Sequence, residues 1–228
     1  MRTNVLGLWA IVPVKTFAQA KQRLASVLSA HERARLAEAM LCDVLEQLTA
    51  LSKLEGILVV TADPLAAQIA GSFGAHHIRD LSESGVNHAV SRGLDAVPAA
   101  ECSVAVIAAD LPFATSIEIA GALSHLAEHP VVLTPAEVDG GTNLLALRRA
   151  GLIEPSFGDG SFARHLEQAR ALNLSCGIFR AQGLGHDIDR PGDLVPPASS
   201  GARRVGALLE TLNIAARLET AFERPQLV

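Results

Sequence analysis

The stretch Ser103-Val104-Ala105-Val106-Ile107-Ala108-Ala109-Asp110-Leu111-Pro112 decides the fold. Val104 to Ala109 carries no polar residue, so a strand built from it has no face to turn to water. Strands apolar on both faces belong to a largely parallel sheet covered by helices on both sides. Residues 8–14, 56–61, 130–135 and 143–147 read as strands in the same way, with a weaker strand at 76–79. The run 143–147 follows its neighbour through a short Gly140-Gly141 turn and is the one candidate for antiparallel pairing. Helical patterns lie between these runs. Ser29 with Glu32 makes a capping box, and Leu36, Met40, Val44 and Leu48 line one face behind it. Thr115 with Glu118 repeats the box, a helix is expected over 86–97, and another after Ser161. The expected architecture is α/β and Rossmann-like, a mostly parallel central sheet flanked by helices.

Composition fits that architecture. The 228 residues are 49% hydrophobic and 19% charged, which excludes a disordered chain. At this length about 70% of the unfolded chain's surface is buried on folding. A net charge of −5 argues against a generally basic nucleic-acid surface, and no run approaches the ~18 apolar residues of a membrane span. Cys42, Cys102 and Cys176 are odd in number and form no C-x-x-C pair, so they read as buried free thiols of a cytoplasmic protein. Arg2, the run from Leu6 to Val14, and Ala18-Gln19-Ala20 loosely imitate a signal peptide, but Pro13 interrupts the run and Lys15 follows it; a first buried strand is the better reading. Val195-Pro196-Pro197-Ala198-Ser199-Ser200-Gly201 reads as a linker, dividing a domain at 1–195 from a tail at 196–228. In the tail Val205, Leu208, Leu212 and Ala216 make one amphipathic helix, whose apolar face docks either on the domain or on a second copy in a homodimer.

Ligands of open α/β sheets bind beyond the carboxyl ends of the strands. Four places there carry chemistry. Lys15, Lys21 and Arg23 cluster after the first strand of an otherwise acidic chain and suit a polyphosphate; the alternative is a solvated basic loop. Asp110 ends a fully buried strand, where a charge needs a partner; a divalent cation is the simplest, and a cap for the segment near Thr115 the alternative. In His186-Asp187-Ile188-Asp189 an extended chain points both carboxylates to one side, where they repel unless a cation lies between them; oxygen-only ligands suit magnesium. Asp193 reads as a turn residue and His186 as a packed or surface histidine. The fourth place has two glycine turns, Asp139-Gly140-Gly141-Thr142-Asn143 and Gly158-Asp159-Gly160-Ser161-Phe162, whose amides and the Thr142 and Ser161 hydroxyls face anions. Gly85 and Asn87 are softer candidates for a base or ribose contact, Asn87 equally for a helix cap.

Taken in order, several motifs resemble the CofC/FbiD family of guanylyltransferases, which act in the biosynthesis of coenzyme F-420. They are Ile11-Val12-Pro13-Val14-Lys15 with Ala20-Lys21-Gln22-Arg23-Leu24, then Ala109-Asp110-Leu111-Pro112, and Gly140-Gly141-Thr142-Asn143. Gly160-Ser161-Phe162 with His165, and Asp187-Ile188-Asp189 with Asp193-Leu194, complete the set. The resemblance covers about residues 8–195. It implies a nucleotide-diphospho-sugar transferase-like fold and the joining of GTP to a small phosphorylated carboxylic acid: 2-phospho-L-lactate, phosphoenolpyruvate or 3-phospho-D-glycerate. It also implies magnesium on Asp110, Asp187 and Asp189, the acid on Thr142, Gly158 and Ser161, and the GTP phosphates facing Lys15, Lys21 and Arg23. Two other readings stay open on the residues alone, a cytidylyl or sugar-nucleotide transferase of the same fold and a nucleotide-binding module without turnover.

Overall fold

Seven strands form one sheet in the order β3-β2-β1-β4-β6-β5-β7. They are β1 (Leu8–Val14), β2 (Leu54–Thr61), β3 (His76–Arg79), β4 (Ser103–Ile107), β5 (Val131–Pro135), β6 (Thr142–Leu147) and β7 (Cys176–Ile178). The computed structural model describes residues 7–80, 84–197 and 202–223; the leader-like Arg2 and Leu6 and the linker residues 198–201 lie outside them. β1 pairs in parallel with β2 and β4, β2 with β3, and β5 with β7, while β6 runs antiparallel to both β4 and β5. The expected antiparallel candidate is therefore the reversed strand. Its start lies at the edge of the sheet where the parallel strands end.

Two cores cover the sheet. On one face pack α1 (Ala30–Thr49), α2 (Pro64–Ser72) and α4 (Ser116–Ser124), with Leu36, Met40, Leu41, Leu45 and Leu48 buried behind β1 and β2. On the other pack α3 (Val86–Asp95) and α5 (Ser161–Ala171) over Ile11, Val104, Val106 and Leu145. Both capping boxes form. Ser29 N–H donates to Glu32 Oε2 at 2.8 Å and Glu32 N–H to Ser29 Oγ at 3.3 Å. Thr115 and Glu118 repeat this at 2.9 and 3.2 Å, so the α4 segment is capped without Asp110. Helix α2 starts on Asp63-Pro64: the Asp63 carboxylate accepts from the amides of Leu65 and Ala66, and Pro64 takes the first helical position, where no N–H is needed.

A single helical turn, α6 (Gln182–Gly185), leads into the 187–189 segment, and a 3-10 turn at Pro191–Leu194 follows it. The tail then holds two helices, α7 (Arg203–Thr211) and α8 (Ile214–Glu223), where one was expected. The break has a local cause: Asn213 takes a left-handed φ of 50°, and its N–H bonds to Glu210 O instead of continuing the helix. Val205, Leu208, Leu209, Ile214 and Leu218 join the core on the α1 face, so the tail docks on its own chain. Asp43 of α1 fixes that docking by accepting the N–H of Arg204 at 3.1 Å and of Val205 at 2.9 Å.

Candidate active site

The strand ends open into a cleft of about 800 Å³ lined by Lys15, Lys21, Arg23, Gly85, Asp110, Thr142, Gly158, Ser161, Asp187 and Asp189, together with Asp80, Asp139 and Asn143. A shallower groove of about 660 Å³ between α8 and Ser26–Val27 shares no residue with it. All but one of the expected site residues therefore meet in one place, drawn from across the chain by the sheet order.

Lys21 is the hinge of the acidic side. It stands between two 3-10 turns in a left-handed conformation with φ 54°, which aims its side chain inward. Its Nζ lies 2.5 Å from Asp110 Oδ2 and 2.8 Å from Asp189 Oδ1, with only 9% of the side chain exposed. Burial pulls the Lys21 pKa down, but Asp110 and Asp189 together outweigh that and raise it. Burial drives Asp189 up, but Lys21, Arg23 and Lys15 together outweigh it, so its net shift is downward. Arg23 reaches Asp189 Oδ2 at 3.5 Å from a side chain 56% exposed, and Lys15 is exposed at the rim.

Asp187 is held differently. Its carboxyl is pushed up to about 6, first by burial and then by the charge of Asp110. Asn143 opposes this, its Nδ2 donating to Asp187 Oδ1 at 3.3 Å and to Leu184 O at 3.0 Å. The 187–189 segment lies against the end of β4, Ile188 N–H bonding to Asp110 O at 3.2 Å. Asp193 is the turn residue expected, accepting the amides of Asp189 and Arg190. His186 is a packed histidine, edge-on to Phe113 with Nε2 2.8 Å from Asp193 O.

Among the described residues, Asp139, Asp187 and Asp189 bring carboxylate oxygens within 4.8 Å of one another. In the sequence Asp139 marks only a glycine turn, and the Asp110 carboxylate, expected to join Asp187 and Asp189, is bridged to Asp189 by the Lys21 ammonium instead of closing on that trio. The donor set is all oxygen, and burial beside the charge of Asp110 disfavours an ionised Asp187, a cost that a bound cation would offset. A hard divalent cation fits such a set.

The opposite wall carries hydroxyls. Thr142 Oγ1 lies 3.0 Å from His165 Nδ1, and the buried Ser161 Oγ donates to it at 3.1 Å. Gly158 and Gly160 have φ of 111° and 68°, conformations that carry the turn into α5 and that side chains strain to adopt. Arg164 clasps this turn from outside, donating to the carbonyls of Ser156 and Asp159 at 2.7 and 2.6 Å.

The Asn87 amide bonds to backbone. Its oxygen accepts Phe157 N–H at 2.6 Å and its nitrogen donates to Phe157 O at 3.2 Å. It does not cap α3, since Gly85, with φ 94°, is the N-cap. Asn87 instead ties the 157 loop to α3 beside the cleft.

Residues 8–202 match the family described as Guanylyl transferase CofC like. A phosphoenolpyruvate guanylyltransferase of Sphaerobacter thermophilus is 39% identical over 81% of this chain and 89% of its own. A 3-phospho-D-glycerate guanylyltransferase of Phenylobacterium zucineum is also 39% identical, over 89% of this chain and 95% of its own. A crystal structure from Desulfovibrio desulfuricans G20, named for the nucleotide-diphospho-sugar transferases, superposes with a TM-score of 0.72 over 95% of this chain and 99% of its own, at 18% identity, and shares the fold. No helix among the described residues is long and apolar enough to cross a membrane. A sheet order that gathers acids and glycine turns at one edge, and a match running through nearly all of that sheet, lead to one assignment: the chain belongs to the CofC-like guanylyl transferases and is a nucleotidyltransferase.

Proposed function

We propose that this protein binds GTP and transfers its guanylyl group to the phosphate of a small phosphorylated carboxylic acid, releasing pyrophosphate, as a step of coenzyme F-420 biosynthesis in the cytoplasm. The acceptor is 2-phospho-L-lactate, phosphoenolpyruvate or 3-phospho-D-glycerate; each carries a phosphate and a carboxylate, and the hydroxyl wall suits all three. One observation carries the reading: a single cleft sets an acidic cluster with Lys21 against a wall of hydroxyls and glycine turns. Two anionic ligands need such a divided site, one side neutralising charge and the other donating hydrogen bonds.

In the reaction an acceptor phosphate oxygen forms a bond to the α-phosphorus of GTP in line with the bond to the β-phosphate oxygen. That bond breaks, and its electron pair leaves with pyrophosphate. The attacking oxygen is already ionised near neutral pH, so no strong general base is required. Thr142 and the Gly158 turn hold the acceptor phosphate in place, with Ser161 bracing Thr142 from behind, which supplies the proximity part of the rate. Lys15 and Arg23, exposed at the rim, balance charge growing on the leaving group, the larger electrostatic part, while Lys21, expected with them, instead holds Asp110 and Asp189 in place. Asp187 and Asp189, with Asp110 and Asp139 beside them, would hold Mg2+, which when bound neutralises phosphate charge. Asn143 keeps Asp187 aimed into the cleft.

The test is a pyrophosphate-release screen of GTP and CTP against the three acceptors, with product masses. Release with GTP and one acceptor, with the mass of the guanylylated acid, is expected. Release with CTP alone, or GTP binding without release under any acceptor, overturns the proposal.

A further inference from the structure

His165 sits on α5 behind the hydroxyl wall with 0% exposure. Its Nε2 accepts the Ser156 backbone N–H at 3.0 Å. Burial, and Arg164 to a lesser degree, hold its pKa down to about 4, so the ring is neutral near pH 7 and carries one N–H. With Nε2 engaged as acceptor, that proton stands on Nδ1, 3.0 Å from Thr142 Oγ1. Ser161 Oγ donates to the same oxygen at 3.1 Å. A hydroxyl has two acceptor positions and one proton. Both acceptor positions of Thr142 are filled from behind, and Thr142 lines the cleft.

We propose that His165 is a positioning residue: through its Nδ1–H it makes the Thr142 hydroxyl an obligate donor, which selects an anionic oxygen of the acceptor at that point. The proposal rests on the reading that Thr142, braced by Ser161, holds the phosphorylated acid. It adds a residue that touches no substrate and sets the direction of one hydrogen bond.

Two substitutions separate the two bonds of the ring. Asparagine places its amide nitrogen near Nδ1, keeping the donor to Thr142 and losing the acceptor for Ser156. Glutamine places its amide oxygen near Nε2, keeping the hold on Ser156 and losing the donor. His165→Gln is expected to raise the KM for phosphoenolpyruvate or 3-phospho-D-glycerate about tenfold, the scale of one hydrogen bond, with kcat and the GTP KM within about twofold. His165→Asn should stay within about threefold throughout. In a Thr142→Val background the His165→Gln effect should vanish, because the hydroxyl it acts through is gone. Equal losses in the Asn and Gln variants, or additive losses with Thr142→Val, overturn the proposal. If Thr142→Val raises the acceptor KM while His165→Gln does not, only this proposal falls. If Thr142→Val leaves the acceptor KM unchanged, the acceptor assignment falls and takes this proposal with it. Nitrogen-15 NMR of the wild-type imidazole gives a readout independent of folding in the variants. A proton on Nδ1 at pH 7 is expected, and a proton on Nε2 or a charged ring overturns the proposal.

Discussion

Replacing Lys21 with methionine removes the ammonium from between Asp110 and Asp189 and keeps most of the apolar stem. At 2.5 and 2.8 Å each contact carries about 6 kcal/mol of Coulomb attraction at an effective dielectric of about 20. Much of that is offset by withdrawing the ammonium, 9% exposed, from water. Stranding one side of a wholly buried pair costs about 3–5 kcal/mol. Here the carboxylates keep 30% and 35% exposure, and water solvates the stranded oxygens. The expected loss is therefore nearer ~2 kcal/mol, or about 4–8 °C in Tm for a chain of this length. Thermal melts in chelator measure it directly. The same melts with millimolar Mg2+ add a second arm. A divalent cation neutralises the carboxylates that the lysine left, so Mg2+ should raise the Tm of the variant more than that of the wild type. A variant as stable as wild type in chelator, or one whose response to Mg2+ is identical, would refute the account of Lys21 as the counter-charge of this cluster.

Asp187→Asn should remove most turnover, leaving the melt near wild type; pyrophosphate release that survives at saturating Mg2+ would contradict the role given to Asp187. Glu32 is held down to about 2, chiefly by its hydrogen bond from Arg217 and next by the Ser29 N–H. A depressed carboxylate stabilises the fold above its unfolded value of about 4.3 and loses that contribution as pH falls toward 2. The Tm gap between wild type and Glu32→Gln should accordingly close between pH 5 and 2, and a gap independent of pH in that window counts against the Glu32–Arg217 link between α1 and α8. Asp43→Ala strands the Arg204 and Val205 amides at the start of α7 and should cost about 2–3 kcal/mol in urea unfolding; a change below about 0.5 kcal/mol would show that the tail docks without that cap.

The two-faced apolar strands and the two capping boxes were readable because each is a local pattern whose physics the tertiary fold leaves intact. The acids at the ends of β4 and near residue 188 were readable as anomalies, charges beside buried segments. What escaped had weaker local signals. β7 is three residues long, too short for any period, and α2 announced itself only through Asp63-Pro64. Asn213 breaks the tail helix through a left-handed residue that hydrophobic spacing does not register. Asp139 looked like a turn residue and is one, accepting Gly141 N–H at 2.8 Å, yet the sheet order also brings it to Asp187 and Asp189. Asn87 is not the helix cap that its position suggested, because its amide bonds to Phe157, seventy residues on, and Gly85 takes the cap.

β6 carries an irregularity that gives its two leading residues separate tasks. Leu144 pairs with Thr134 of β5, yet the next step along β5, Pro135, meets Thr142, so Asn143 is an extra residue bulging from the ladder. Strict alternation would turn Thr142 toward the side of Leu144 and Asn143 toward the side of Leu145. With the bulge, Thr142 meets His165 and Ser161 while Asn143 meets Leu184 and Asp187. A regular ladder through both residues would leave Leu144 onward undisturbed and would exchange the two chemistries, turning the amide toward His165 and Ser161 and the hydroxyl toward Asp187. The reading frame of the strand, as much as the identity of its side chains, is therefore part of what this enzyme has to preserve.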